Sequence, residues 1–253
     1  MSHRAPATQS PRPDARDGVF ETILIFEDRP VELDAHLARL AASVLALYSE
    51  DPPDTRELVL ANARGGWLGR MRLTVEPLLR GGLDSSVLVA PFDPNNVFPT
   101  GDFASKLVTL PVDRGYGEHK WADRAMLSRA EAEAGPGAAP LLVREDGTVL
   151  EGSRANTFIV RDRTVSTPPL DGEILPGVAR AGLLEVAEEC GIEVVEEPFN
   201  LDALLAADEV FLTNSLRGVE PVRAVDGAAI ASEGPITTAL AEGLRQRWFG
   251  PWT

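Results

Sequence analysis

The chain has 253 residues, 44% of them apolar and 25% charged, which is ordinary for a globular protein and enough for one large or two modest cores. A net charge of −15 argues against nucleic acid as a partner, because a polyanion is repelled where no basic patch intervenes; the acidity is read as serving solubility. No apolar run reaches the roughly 18 residues of a membrane span, and the single Cys190 leaves no internal disulfide and fits a reducing cytoplasm.

Residues 1–16 are rich in Pro, Ser, Ala and Arg without periodicity and read as a disordered tail. The segment 18–26 is β-branched and aromatic, entered by Asp17-Gly18, and predicts a strand. Leu33, Leu37, Leu40, Val44 and Leu47 recur at helical spacing and predict a helix over 33–48. Asp51-Pro52-Pro53 breaks it, and Asp54 is placed to cap a second helix to about Ala63. Strands follow at 71–77 and 86–90. Three prolines, a glycine and two asparagines crowd into 91–101, which marks a linker. The division expected is a tail over 1–16, a small domain over 17–90, the linker over 91–101 and a large domain over 102–253.

Beyond the linker a strand is expected over 106–111, a loop at Arg114-Gly115-Tyr116-Gly117 and a helix over 123–134. Asp146-Gly147 turns a hairpin between 141–143 and 148–150, and a second hairpin joins 156–160 to 164–166. Pro176-Gly177 opens a helix that runs to Cys190, with Gly191 as its stop. Strands at 193–196 and 209–213 enclose a short helix, and 236–249 forms a closing one. The fold class is therefore α+β in two domains.

Chemistry concentrates in a few places. Lys120 sits among Tyr116, Gly117, His119 and Trp121, where a desolvated ammonium would lose its proton more readily; by residue type alone it reads as a surface lysine. Glu151 lies on a Gly-containing bend in Glu151-Gly152-Ser153-Arg154-Ala155-Asn156-Thr157-Phe158, and by pattern alone reads as a solvated hairpin carboxylate. His36 and Arg39 share one helix face, where the plain readings are a packed histidine and a surface ion pair. The helix start at Gly177-Val178-Ala179 offers backbone N–H groups to an anion. His3, His36 and His119 lie apart from one another and from Cys190, so no metal site is expected.

Taken together, Lys120, Glu151-Gly152-Ser153-Arg154-Ala155-Asn156-Thr157-Phe158 and Ile174-Leu175-Pro176-Gly177 resemble the fold-type IV pyridoxal-phosphate enzymes. That group includes branched-chain and D-amino-acid aminotransferases and aminodeoxychorismate lyase. The likeness spans about Asp17 to Gly227 and implies a β-barrel-like core in the large domain, pyridoxal 5'-phosphate as cofactor and a homodimer. It implies that Lys120 takes the cofactor covalently and that Glu151 faces its pyridine nitrogen. Arg39, in a His-x-x-Arg-Leu element, is implied to grip the phosphate, with Gly177, Val178, Ala179, Asn214 and Ser215 as further phosphate donors. Leu175 is implied to pack on the ring. Phe20, Arg124, Arg217, Arg70 and Arg72 are candidates for holding a substrate that carries an amine and carboxylates.

Two departures stand out. Ala179 replaces a family threonine, and the strand and turn that usually precede the Gly18-Val19-Phe20-Glu21-Thr22 segment are trimmed. Gly18-Val19-Phe20-Glu21-Thr22, His119-Lys120-Trp121-Ala122-Asp123-Arg124 and Thr213-Asn214-Ser215-Leu216-Arg217 are similar to lyase-type segments. They imply a cytoplasmic lyase of folate-type metabolism that forms p-aminobenzoate, with a branched-chain or D-amino-acid aminotransferase as the alternative. A non-catalytic binding protein on the same fold is the reading from another class.

Overall fold

In the computed structural model, which describes residues 13–230 and 234–250 apart from the side chain of Asp102, contacts divide the chain into two units. One contains the described residues up to Val97 together with His119–Arg124 and 248–250; the other contains Phe98–Glu118 and Ala125–Arg247. Most of the tail expected to be disordered lies outside the described residues. At its end Ala15–Asp17 forms a 3-10 turn, capped by the Asp14 carboxylate, and Ala15 O accepts from the Tyr48 hydroxyl at 2.6 Å.

The first unit is a four-stranded antiparallel sheet backed by two helices. Its elements are β1 (Val19–Phe26), β2 (Arg29–Pro30), α1 (Leu33–Tyr48), α2 (Thr55–Asn62), β3 (Gly69–Pro77) and β4 (Leu83–Pro91), with sheet order β2-β1-β3-β4. A strand sends alternate side chains to opposite faces, so Val19, Glu21, Ile23 and Ile25 share one face of β1. The three apolar ones join Leu40, Val44, Val59, Met71, Leu73 and Val75 in the core under the helices. Glu21 is the acid on that inward face. Asp54 stands before α2 as expected but makes no side-chain capping bond.

The second unit is built on β5 (Ser105–Val112), α3 (Ala125–Ala134), β6 (Ala138–Arg144), β7 (Val149–Gly152), β8 (Ala155–Arg161) and β9 (Thr164–Thr167). It continues with α4 (Val178–Glu189), β10 (Val194–Glu196), α5 (Leu201–Leu205), β11 (Glu209–Asn214), β12 (Gly218–Val225), β13 (Ala228–Ala229) and, up to Arg247, α6 (Pro235–Phe249). Six strands close on themselves in the order β7-β8-β11-β12-β5-β6, since β7 pairs with both β6 and β8. This is the barrel-like core that the sequence implied. Strands β9 and β10 extend from β8, and β13 pairs with β12. The β5–β6 and β9–β10 pairs are parallel, so each needs a crossover, and α3 and α4 supply them.

Phe158 of β8 and Phe211 of β11 are register partners, and their rings stack at 4.9 Å with 5° between planes. Such directly opposed aromatic pairs fix register as well as bury area. Glu209, buried at the head of β11, turns its carboxylate to the start of α6 and accepts from Ile236 N at 3.2 Å and Thr237 N at 2.7 Å. A Cβ on Gly234 would stand 2.1 Å from that carboxylate, so the approach requires glycine. Removing the cap in Glu209→Ala leaves buried helix N–H groups without partners. The variant is expected to lose about 1–3 kcal/mol of stability, read from urea midpoints; an unchanged midpoint counts against the cap.

Three local expectations need correction. Glu151 lies within β7 and is buried, because the two-residue turn falls later, at Ser153-Arg154. Pro176 stays outside α4, whose first helical residue is Val178, because the chain before it is held by Glu151 and Asn156. Residues 218–225, not expected as a strand, form β12.

Candidate active site

In the first unit the chain around Lys120 is bound to β1 like a short extra strand. Phe20 N donates to Lys120 O at 2.8 Å, Ala122 N donates to Gly18 O at 3.0 Å, and Trp121 bridges Val19. His119 adds a contact from its Nδ1 to Ser43 Oγ at 3.1 Å on α1, and its ring meets Trp121 edge-on. The backbone of the lysine is therefore fixed, while its amine lies 5.0 Å from the centre of the Phe20 ring. Arg72 of β3 covers the same ring, with Cζ at 3.8 Å, and its Nη2 reaches Ala122 O at 3.5 Å. Burial and the neighbouring Arg124 guanidinium both lower the pKa of Arg72. Cations gathered this closely in an acidic protein make a local field suited to an anion. Arg70 shares the face of Arg72 two residues along β3 but is exposed.

The same unit holds a buried charged cluster. Arg39 Nε donates to Glu21 Oε1 at 2.8 Å and Nη2 to Oε2 at 2.6 Å, while His36 Nδ1 meets Oε2 at 2.7 Å. Burial pushes the Glu21 carboxyl up, but the Arg39 and His36 contacts outweigh it and hold it at about 2. Burial, the largest influence on His36, keeps its ring below the usual histidine range. His36 is thus the packed, satisfied residue the sequence suggested. The part of Glu21 was not read from the sequence. Its signal was present, since alternation along β1 puts a carboxylate on the face that His36 and Arg39 share with the core.

In the second unit Glu151 and Asn156 are register partners across the Ser153-Arg154 turn. Asn156 Nδ2 donates to Glu151 Oε2 at 3.3 Å and to Leu175 O at 2.9 Å, and Leu175 N donates to both carboxylate oxygens at 3.3 Å. Gly177 stands at the N-cap of α4 without a side-chain capping bond, ahead of Val178 and Ala179. Arg180, in that turn, is buried and turned away, donating to Pro168 O at 3.1 Å and to Glu196 at 2.7 Å. At the end of β11, Asn214 Oδ1 accepts from Leu216 N and Arg217 N, which shapes the loop carrying the half-buried Ser215. Arg217 is committed to Glu220, with Nε 2.9 Å from Oε2, and to Phe103 O at 3.3 Å. Ser105 also donates to Glu220, whose carboxyl is pushed up mainly by burial.

This second group suits an aromatic phosphate. It offers a buried carboxylate, a helix start without a capping side chain, and a Thr213 hydroxyl that is buried and has no partner among the described residues. The chain belongs to the family described as amino-transferase class IV, which it matches over residues 18–225. It is 30% identical to a putative branched-chain-amino-acid aminotransferase of Methanocaldococcus jannaschii, over 92% of this chain and 88% of that protein. Among solved structures it resembles 4-amino-4-deoxychorismate lyase from Pseudomonas aeruginosa, with 28% identity, a TM-score of 0.76 and 96% of both chains covered. It also resembles a T.th. branched-chain amino acid aminotransferase, solved with pyridoxamine 5'-phosphate, with 25% identity, a TM-score of 0.78, and 96% and 90% covered. The fold is that of the class IV aminotransferases.

Proposed function

We propose that this chain is a pyridoxal 5'-phosphate enzyme that converts 4-amino-4-deoxychorismate to p-aminobenzoate and pyruvate. Family membership and the relative solved with pyridoxamine 5'-phosphate support the cofactor. The observation that carries the substrate class is the gathering of Lys120 and Arg72 on the Phe20 ring, with Arg124 close enough to depress Arg72. A dicarboxylate with a ring amine fits that field. When bound, the cofactor supplies an aldehyde for an amine and a pyridine ring that withdraws electrons from the carbon bearing the substrate's nitrogen.

In this reading Lys120 would hold the cofactor, and its amine, when free, would remove the proton from the amine-bearing ring carbon of the substrate. Loss of that proton lets the enolpyruvyl group leave and the ring aromatise, and Lys120 returns a proton to the departing carbon. Glu151 would keep the pyridine nitrogen protonated, and Leu175 would pack on the ring. Arg39, the N–H groups of Gly177, Val178 and Ala179, and the Asn214-Ser215 loop hold the phosphate. Arg72 and Arg124 receive the substrate carboxylates, Phe20 forms the wall beside them, and Arg70 serves the outer edge, while Arg217 stays paired with Glu220.

The second reading, an aminotransferase for branched-chain or D-amino acids, is favoured by the relative that is 30% identical over 92% of the chain. It uses the same lysine, acid and phosphate groups. Incubating the purified protein with aminodeoxychorismate and no 2-oxo acid separates the two. Equimolar pyruvate and p-aminobenzoate are expected; turnover that requires a 2-oxo acid overturns the lyase reading in favour of transamination.

A further inference from the structure

Asn156 stands where three pieces of the second unit meet. Its strand neighbour across the hairpin is Glu151, so register brings the two side chains together before any long-range packing is considered. Its one amide nitrogen contacts both the Glu151 carboxylate and Leu175 O, in the chain that leads into α4. The amide oxygen faces Gly177, so closely that a Cβ there would lie 2.0 Å from Oδ1. Asn156 is itself only 3% exposed, so it has little room to step aside. Leu175 N closes the ring of contacts by donating back to Glu151.

We propose that Asn156 is a positioning residue that locks the Glu151 carboxylate and the entry to α4 to each other, so that the acid and the helix start move as one piece. The proposal rests on the reading of Glu151 and the α4 start given above and deepens it. A side chain with one donor group and one acceptor suits the position: the donor faces a carboxylate and a carbonyl, and the acceptor faces a residue without a side chain. Aspartate would set a second carboxylate against Glu151, and alanine would leave Leu175 O and the carboxylate without this donor. Gly177 is then needed because of Asn156, and any larger residue there pushes the amide off the acid.

The test is a cycle of Asn156→Ala, Gly177→Ala and their double variant, with Glu151→Gln alongside. Pyridoxal phosphate and pyridoxal are titrated onto each apoenzyme, and turnover is measured at saturating cofactor. Gly177→Ala is expected to weaken pyridoxal phosphate about tenfold or more in the natural background but less than about threefold beside Asn156→Ala, since the atom it strikes is gone. Asn156→Ala is expected to weaken both ligands and to lower kcat about tenfold with KM within about threefold, because the acid is misdirected after binding. A merely structural role would lower the apoenzyme melting midpoint and leave that split absent. If Gly177→Ala costs the same in both backgrounds, the lock is disproved. If Glu151→Gln leaves both affinities and kcat unchanged, the pyridine assignment fails instead, whatever the Gly177 cycle reads. Should Asn156→Ala not accumulate folded, Asn156→Ser carries the same cycle, and the same two results decide it.

Discussion

Lys120→Ala is expected to abolish the visible absorbance of the cofactor-loaded enzyme and to lower kcat by about four orders of magnitude or more, the scale on which a nucleophile's removal acts. The segment itself should keep its place on β1. The contacts that fix this segment to β1 are made by backbone atoms, namely Lys120 O with Phe20 N at 2.8 Å and Ala122 N with Gly18 O at 3.0 Å, and alanine keeps them. What the substitution removes is an amine held 5.0 Å from the Phe20 ring with Arg72 on the same ring. Absorbance, turnover and a urea curve on one preparation check the set. A variant that stays coloured and active would move the covalent role to another amine and remove the basis of the proposed reaction.

How much of this was legible beforehand depended on whether a signal was local. Helix α1 was readable to its ends because five apolar residues at helical spacing meet Asp51-Pro52-Pro53 just beyond them. Strand β1 was readable because β-branched and aromatic residues fill it directly after Asp17-Gly18. Strand β12 was not: Gly218, Glu220 and Pro221 interrupt its apolar residues, and each argues against a strand when taken alone. The barrel tolerates them. Pro221 precedes a register shift between Val222 and Ala224, where pairing to β5 is already irregular, and Glu220 finds Ser105 and Arg217. Strand β4 was read short because Asp84 and Ser85 give its start the look of a loop, which an edge strand with half-exposed faces can carry. The site divided in the same way. Glu151 and Asn156 are five positions apart and could be read as one motif, whereas the pairing of Glu21 with Arg39 spans eighteen positions and appears only when strand and helix are packed.

That pairing leads to the other large effect. Glu21→Gln is expected to cost about 3–5 kcal/mol at neutral pH, the usual result of taking one partner from a buried ion pair, because Arg39 and His36 would face an amide inside a core only 1% exposed at Glu21. The pH dependence gives an independent check. Burial alone would raise the Glu21 carboxyl, but Arg39 and His36 bring it from 4.5 down to about 2. A depressed carboxyl contributes stability above its unfolded value and loses it as pH falls through the folded one, so about 3 kcal/mol should disappear between roughly pH 4.5 and 2. His36 acts in the same direction from higher pH. Its ring is held below 6.5 by burial, so the unfolded chain takes up a proton first and stability begins to decline below that value. Glu220, raised by burial, acts in the opposite sense: its contribution is present at low pH and lost as pH rises through its folded value. Urea midpoints at pH 7 and pH 3 should therefore converge for the natural protein and Glu21→Gln as acid removes what the substitution had already taken. If the two curves stay parallel, the fold does not hold the Glu21 carboxyl below its unfolded value. In the proposed reading, where Arg39 grips the phosphate, the cluster has a second use, since a buried ion pair is a poor device for stability alone. An arginine held by both oxygens of one acid has its plane fixed before any ligand arrives, which is the condition under which a guanidinium recognises a phosphate with least loss of freedom.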